Sequence, residues 1–231
     1  MALDLAETIA RSAGYKLLSL AFLPPRAADP FRGLDRIVRD LPEGHRLALE
    51  PILPGEAIPR PPEGEHTRLF GVGLAATPYE TEYDPLASVR KGHRLADLLG
   101  FYEAFGFGLA EGRGEFPDYI AVELEFMALL LLKTAQAQLE GREEARAVSL
   151  EATRKFLADH LAAWVGAFAD RVEAATEEGF YRLAARFLRA FLLAECRLLG
   201  VEAGPPIATV PDDPGPLACP FAAGCSGQDQ G

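Results

Sequence analysis

The chain has 231 residues, 49% of them hydrophobic, with 23 Lys and Arg against 34 Asp and Glu for a net charge of −11. That hydrophobic share excludes a disordered chain, and the acidity excludes a phosphate-binding nucleic-acid protein or one drawn to anionic membranes. Three cysteines are too few for a disulfide scaffold.

Prolines punctuate the two ends. Eleven lie between Pro24 and Pro85 and six between Pro205 and Pro220, with Pro117 alone in the 119 residues between. Residues 3–22 carry Leu5, Ile9, Tyr15, Leu18 and Phe22 at helical spacing, and Pro24-Pro25 stops the pattern. The opening lacks a basic region and holds Asp4 and Glu7, so it does not read as a secretory signal. A second helix is predicted over 30–41, short turns and loop over 42–64, and no decided state over 67–76.

Longer helices follow. Residues 88–106 place Val89, Leu95, Leu98, Leu99, Tyr102 and Phe105 on a helix that Gly106 and Gly108 end. Residues 117–140 open on Pro117, which has no helical N–H to lose, and run through Ile120, Leu124, Met127 and Leu131. Residues 149–173 carry Phe156, Leu157, Leu161, Trp164, Phe168 and Val172. A last helix is predicted from Thr176, with Glu177 and Glu178 in its first turn, to Gly200. Uncharged hydrophobic runs such as Phe126 to Leu132 are far short of the roughly 20 residues of a membrane span. No βαβ alternation or repeat occurs, and the fold is predicted to be an all-α bundle.

Catalytic and metal chemistry find little footing. His93 and Asp97 share a helical face and read as a surface pair, since a metal would need more ligands. Cys219 and Cys225, spaced C-x5-C, read as tail thiols, with metal binding or redox sensing as the other reading. Cys196 reads as a small helical residue. Neither Gly71-Val72-Gly73 nor Gly106-Phe107-Gly108 matches a phosphate loop, and no nucleophile–base order appears. No catalytic residue, metal ligand or cofactor is assigned; an enzyme acting through His93 or Cys219 lacks a supporting arrangement.

Acids gather beside aromatics in two places. One is Tyr79, Glu80, Glu82, Tyr83 and Asp84 in a loop-like setting; the other is Glu115, Pro117, Asp118, Tyr119, Glu123 and Phe126. On a helix Glu115, Tyr119 and Glu123 would align at four-residue steps. Two readings stand: solvated acids near helix N-termini, or a surface for a basic, partly apolar peptide.

The same segments resemble the TorD/DmsD/NarJ family of redox-enzyme chaperones. The blocks Tyr79-Glu80-Thr81-Glu82-Tyr83, Leu95 to Gly106 and Glu115 to Met127 stand in that family's order and spacing. The last is similar to its E-x-P-D-H signature, with Tyr119 in place of His. The opening helix, Tyr15 to Phe22, also fits, and the resemblance covers residues 5–200. It implies a TorD-like helical bundle, 1–200, in two parts (1–108 and 115–200) joined by a hinge at 109–114, with 201–231 as a flexible tail. It also implies a cytoplasmic chaperone that binds the apo catalytic subunit of a DMSO-reductase-type molybdoenzyme. Binding at the twin-arginine signal peptide would hold that client until molybdopterin is inserted. The ten acid and aromatic residues named above, with Pro117, would form the peptide site, and the protein would be a monomer or a helix-exchanged homodimer. The competing binding class is a general helical scaffold without signal-peptide specificity.

Overall fold

The computed structural model describes residues 4–25, 31, 33–53, 60–61, 64–71, 75–84, 86–109, 116–177 and 179–202. Among them the regular elements are all helical. They are α1 (Leu5–Phe22), α2 (Leu34–Asp40), α3 (Glu43–Leu49), α4 (Glu65–Phe70), a 3-10 turn (Glu80–Tyr83), α5 (Ala87–Ala104), α6 (Ile120–Leu139), α7 (Glu143–Phe156), a π turn (Leu157–Leu161), α8 (Ala162–Ala175) and α9 (Phe180–Leu199). The all-α expectation holds. Glu115, residues 110–114 of the expected hinge and the tail thiols Cys219 and Cys225 lie outside the described residues.

Helix α6 is the axis of the packing. Its apolar positions run nearly all the way round, so it is buried on most sides rather than along one stripe. Helix α1 lies antiparallel against it. Ser12 and Ser19, seven residues apart on α1, donate at 2.8 Å to the carbonyls of Ala128 and Ala121, seven apart on α6. Small side chains at both ends of these bonds let the two backbones approach closely. On the other side of α1, Gly14 meets α9 so tightly that a Cβ would stand 2.7 Å from the Phe191 ring. Phe22 then meets Phe70 and Phe168 edge-on, and the latter two rings lie tilted against each other, which joins α1, α4 and α8.

One buried polar network bolts the N-terminal helices to α9. The Arg11 guanidinium donates to both oxygens of Glu195, Nε at 2.6 Å and Nη2 at 2.8 Å, while Tyr15 Oη donates to Oε2 at 3.1 Å. His45 Nε2 on α3 stands 2.8 Å from Oε1 of the same carboxylate. Burial would raise the Glu195 pKa, but the Arg11 charge and these donors hold it at about 2.

Several boundaries differ from the sequence reading. The predicted helix 149–173 begins earlier, at Glu143, and is interrupted by the π turn. The last helix opens at Phe180 rather than Thr176, because Gly179 at φ 145° breaks the backbone ahead of it. Helix α5 presents a different face from the one expected. Leu98 and Tyr102 are buried, but Val89 is 78% and Leu99 46% exposed. Cys196 is buried within α9, and burial pushes its thiol up to about 11. Among the described residues, no helix is long and apolar enough to cross a membrane.

Candidate functional site

The chain enters α6 through a turn at 116–119, closed by Tyr119 N donating to the Phe116 carbonyl at 3.1 Å, with Pro117 at the position where its fixed φ suits a turn. That stretch meets residues 78–80 in an antiparallel bridge centred on Tyr79 and Tyr119. Glu80 N donates to Asp118 O and Ile120 N to Pro78 O, both at 2.9 Å. The two acid-and-aromatic segments, whose bridged residues lie 40 positions apart in sequence, are thereby one structural unit. Tyr102 Oη, from α5, donates to the Pro117 carbonyl at 2.7 Å and fixes its outer edge.

After the bridge the chain forms the 3-10 turn, in which residues three apart point the same way. Glu80 and Tyr83 therefore turn inward and Glu82 outward. The inward side gathers three buried carboxylates. Asp118 Oδ2 accepts the Thr81 hydroxyl at 2.6 Å. Glu80 lies 3.0 and 3.2 Å from Nδ1 of the buried His160, with the Arg94 Nε 3.7 Å from its Oε1. Glu123 faces Trp164 Nε1 at 3.4 Å through Oε2, and its Oε1 is buried with no hydrogen-bond partner. Burial first, then the neighbouring charges of Glu80 and Asp118, push the Glu123 pKa well above the carboxylate range. Three acids face one guanidinium and one imidazole; the cluster is short of positive charge.

The outward side is amphipathic. Glu82 is 47% exposed and bonded to Lys91 Nζ at 2.8 Å. Phe116, 59% exposed, packs edge-on against the half-buried Tyr79, whose ring also lies against Tyr119. Asp84 Oδ1 accepts Leu86 N at 2.8 Å and so ties down the entry to α5.

Of the expected site residues, Glu82, Asp84 and Tyr79 face or border solvent. Glu80, Asp118 and Glu123 form the cluster beneath. Tyr83 and Phe126 lie inside: Tyr83 donates to the Thr77 carbonyl at 2.8 Å, and Phe126 is the hub of a ring cluster with Tyr102 and Phe156. Helix α6 begins at Ile120, so Tyr119 and Glu123 do not share a helical face as aligned neighbours. Tyr119 points inward and donates to the Phe22 carbonyl at 2.5 Å, tying the start of α6 to the end of α1. A phenol with that reach serves as a strut. His93 is exposed, and its expected partner Asp97 instead stands 3.4 Å from His160 Nε2.

The sequence reading did not select His160, Arg94 or Trp164. His160 had a signal: it interrupts the apolar series Phe156, Leu157, Leu161, Trp164, and a polar residue in such a stripe needs a partner. Among the described residues, no group of three His, Cys, Asp or Glu side chains is arranged to hold a metal.

The profile described as "Nitrate reductase delta subunit" matches residues 59–170, which contain the 3-10 turn, α5, the bridge and α6. Over that segment the chain is similar to the NarJ/TorD-type proteins. Its relatives include the chlorate reductase assembly chaperone protein of Ideonella dechloratans, 37% identical over 48% of this chain and 58% of the relative. The selenate reductase assembly chaperone protein of Thauera selenatis is 35% identical over 56% of this chain and 64% of its own length. The chaperone protein TorD of Photobacterium profundum is 33% identical over 55% and 58%. The chain thus spans less than two thirds of the length of each. No solved structure gives a significant match. At the position where the resembled E-x-P-D-H signature has His stands Tyr119, whose phenol donates to the Phe22 carbonyl.

Proposed function

We propose that this chain is an assembly chaperone, not an enzyme. Its client is the apo catalytic subunit of an exported molybdenum reductase, held in the cytoplasm by its twin-arginine signal peptide until the molybdopterin cofactor is inserted. The relatives named for chlorate and selenate reductase assembly support the client class. A twin-arginine segment offers two guanidinium groups beside an apolar stretch. The observation that carries the reading is the bridged unit at 78–84 and 116–120, which sets the exposed Glu82 and the rings of Tyr79 and Phe116 over a cluster rich in buried acids. Rim pairs contribute only ~0.2–1 kcal/mol each, so the rings supply most of the affinity.

Charge reversal tests it at Glu82, which is exposed; reversal at Glu80 would bury a cation against His160 and break the fold. Glu82→Lys is expected to weaken calorimetric binding of a twin-arginine peptide while leaving the helical signal unchanged. Binding of the client subunit with no binding of its isolated peptide would instead mark a general helical scaffold.

A further inference from the structure

The carboxylates of this site are already occupied by cations of the chain itself. Lys91 and Arg94 lie three apart on α5, hence on one face. Lys91 Nζ reaches Glu82 at 2.8 Å, and Arg94 Nε stands 3.7 Å from Glu80 while its Nη1 donates to the Asp159 carbonyl at 2.8 Å. Two basic side chains at short spacing, one on each carboxylate, reproduce the charge pattern of the peptide that the proposed function assigns to the site.

The N-terminal half of α5 has little else to hold it. No described side chain from Leu86 to Asp97 is buried; the first is Leu98. What ties this half down among the described residues is polar: the pair of ionic contacts, the Arg94 bond to Asp159, the Asp84 bond to Leu86 N and, at its inner end, the approach of Asp97 to His160 Nε2 at 3.4 Å. The C-terminal half is packed by Leu98, Phe101 and Tyr102 against Phe126 and Phe156. One half can therefore lift while the other stays anchored.

The wholly buried Glu123 Oε1 still lacks a hydrogen-bond partner, and Arg94 is the cation whose charge acts on that carboxyl. A single guanidinium with five N–H donors can serve two acceptors, which an ammonium point charge does less well. The vacancy that Arg94 would leave thus suits an incoming arginine better than a lysine.

We propose that Lys91 and Arg94 are an internal stand-in for the two basic side chains of the client peptide. They close Glu82 and Glu80 in the unliganded protein, and the peptide binds by displacing them as the N-terminal half of α5 lifts. This rests on the proposed function and adds to it a competitor within the chain, and a preference for arginine at the inner position.

The test is calorimetric titration of the full chain with a synthetic peptide bearing Arg-Arg beside an apolar stretch, and with its Lys-Lys counterpart. Lys91→Ala, at an exposed position, is expected to tighten Arg-Arg binding about two- to five-fold, the worth of one exposed ion pair. Arg94→Gln is expected to tighten it as well and to increase the margin over Lys-Lys. If Arg94→Gln does not fold, Lys91→Ala decides alone. Should both variants bind as the wild type or more weakly while Glu82→Lys loses binding, the site stands and the internal competitor is overturned. If Glu82→Lys binds as the wild type, the peptide site itself is wrong and the competitor falls with it.

Discussion

Two buried charge clusters sit in this chain, and they are built on opposite principles. Around Glu195, one carboxylate is met by Arg11, Tyr15 and His45, and its acidity is strengthened to about 2. Around Glu123, three carboxylates share Arg94 and His160, and burial drives the Glu123 pKa up. A balanced cluster between helices is a bolt. An acid-rich one at the edge of a turn is left short of cations, and under the proposed function the difference separates what holds this protein together from what it would offer to a partner.

The contrast can be broken first at the bolt. Arg11→Met leaves the buried Glu195 carboxylate without its guanidinium, with only Tyr15 and His45 beside it, and urea denaturation should show a loss of about 3–5 kcal/mol. Adding Glu195→Gln to that variant should restore much of it, since the orphaned charge is gone. In the acid cluster, removing a polar donor acts on a smaller scale. Thr81→Val takes the hydroxyl from Asp118 and should cost about 1–3 kcal/mol by the same measurement.

The pH dependences should have opposite signs. Glu195 has a folded pKa below its unfolded value of about 4.3, so its stabilisation is present above that pH and lost as pH falls towards 2. Glu123 has a folded pKa above the unfolded value, so its contribution is present at low pH and lost as pH rises through the folded pKa. Glu123→Gln should therefore melt close to the wild type near pH 4 and above it at pH 8. A variant that melts lower at pH 8 than at pH 4, relative to wild type, would mean that Glu123 is satisfied as an anion. The smallest effect expected is Tyr119→Phe, about 1 kcal/mol, which removes only the strut to Phe22.

Local rules carried the sequence reading where a helix is defined by its own neighbours. Pro24 and Gly200 marked helix ends within a few residues, and the spacing of Ile120, Leu124, Met127 and Leu131 gave α6 its length. Local rules also placed acids and rings at 79–84 and 115–126. What they could not give was the direction of each side chain there. The bridge sends Glu80 and Asp118 inward, and Glu80 meets His160, 80 residues away. The misjudged face of α5 has the same cause: its partners are the 3-10 turn and the rings of α6 and α7, none of them near in sequence. His160 itself lay in plain view among apolar neighbours, but only its partner gives it a role.

The π turn at Leu157–Leu161 makes the length of this segment a steering element as much as a spacer. Each residue of a helix advances the chain by about 100° around the axis. The π turn already holds one residue more than an α turn, so inserting another here would leave the chain helical but turn α8 by about that angle against everything before it. Trp164 would swing away from Glu123 and Phe168 from Phe22. The segment should therefore tolerate exchange of side chains far better than any change in their number.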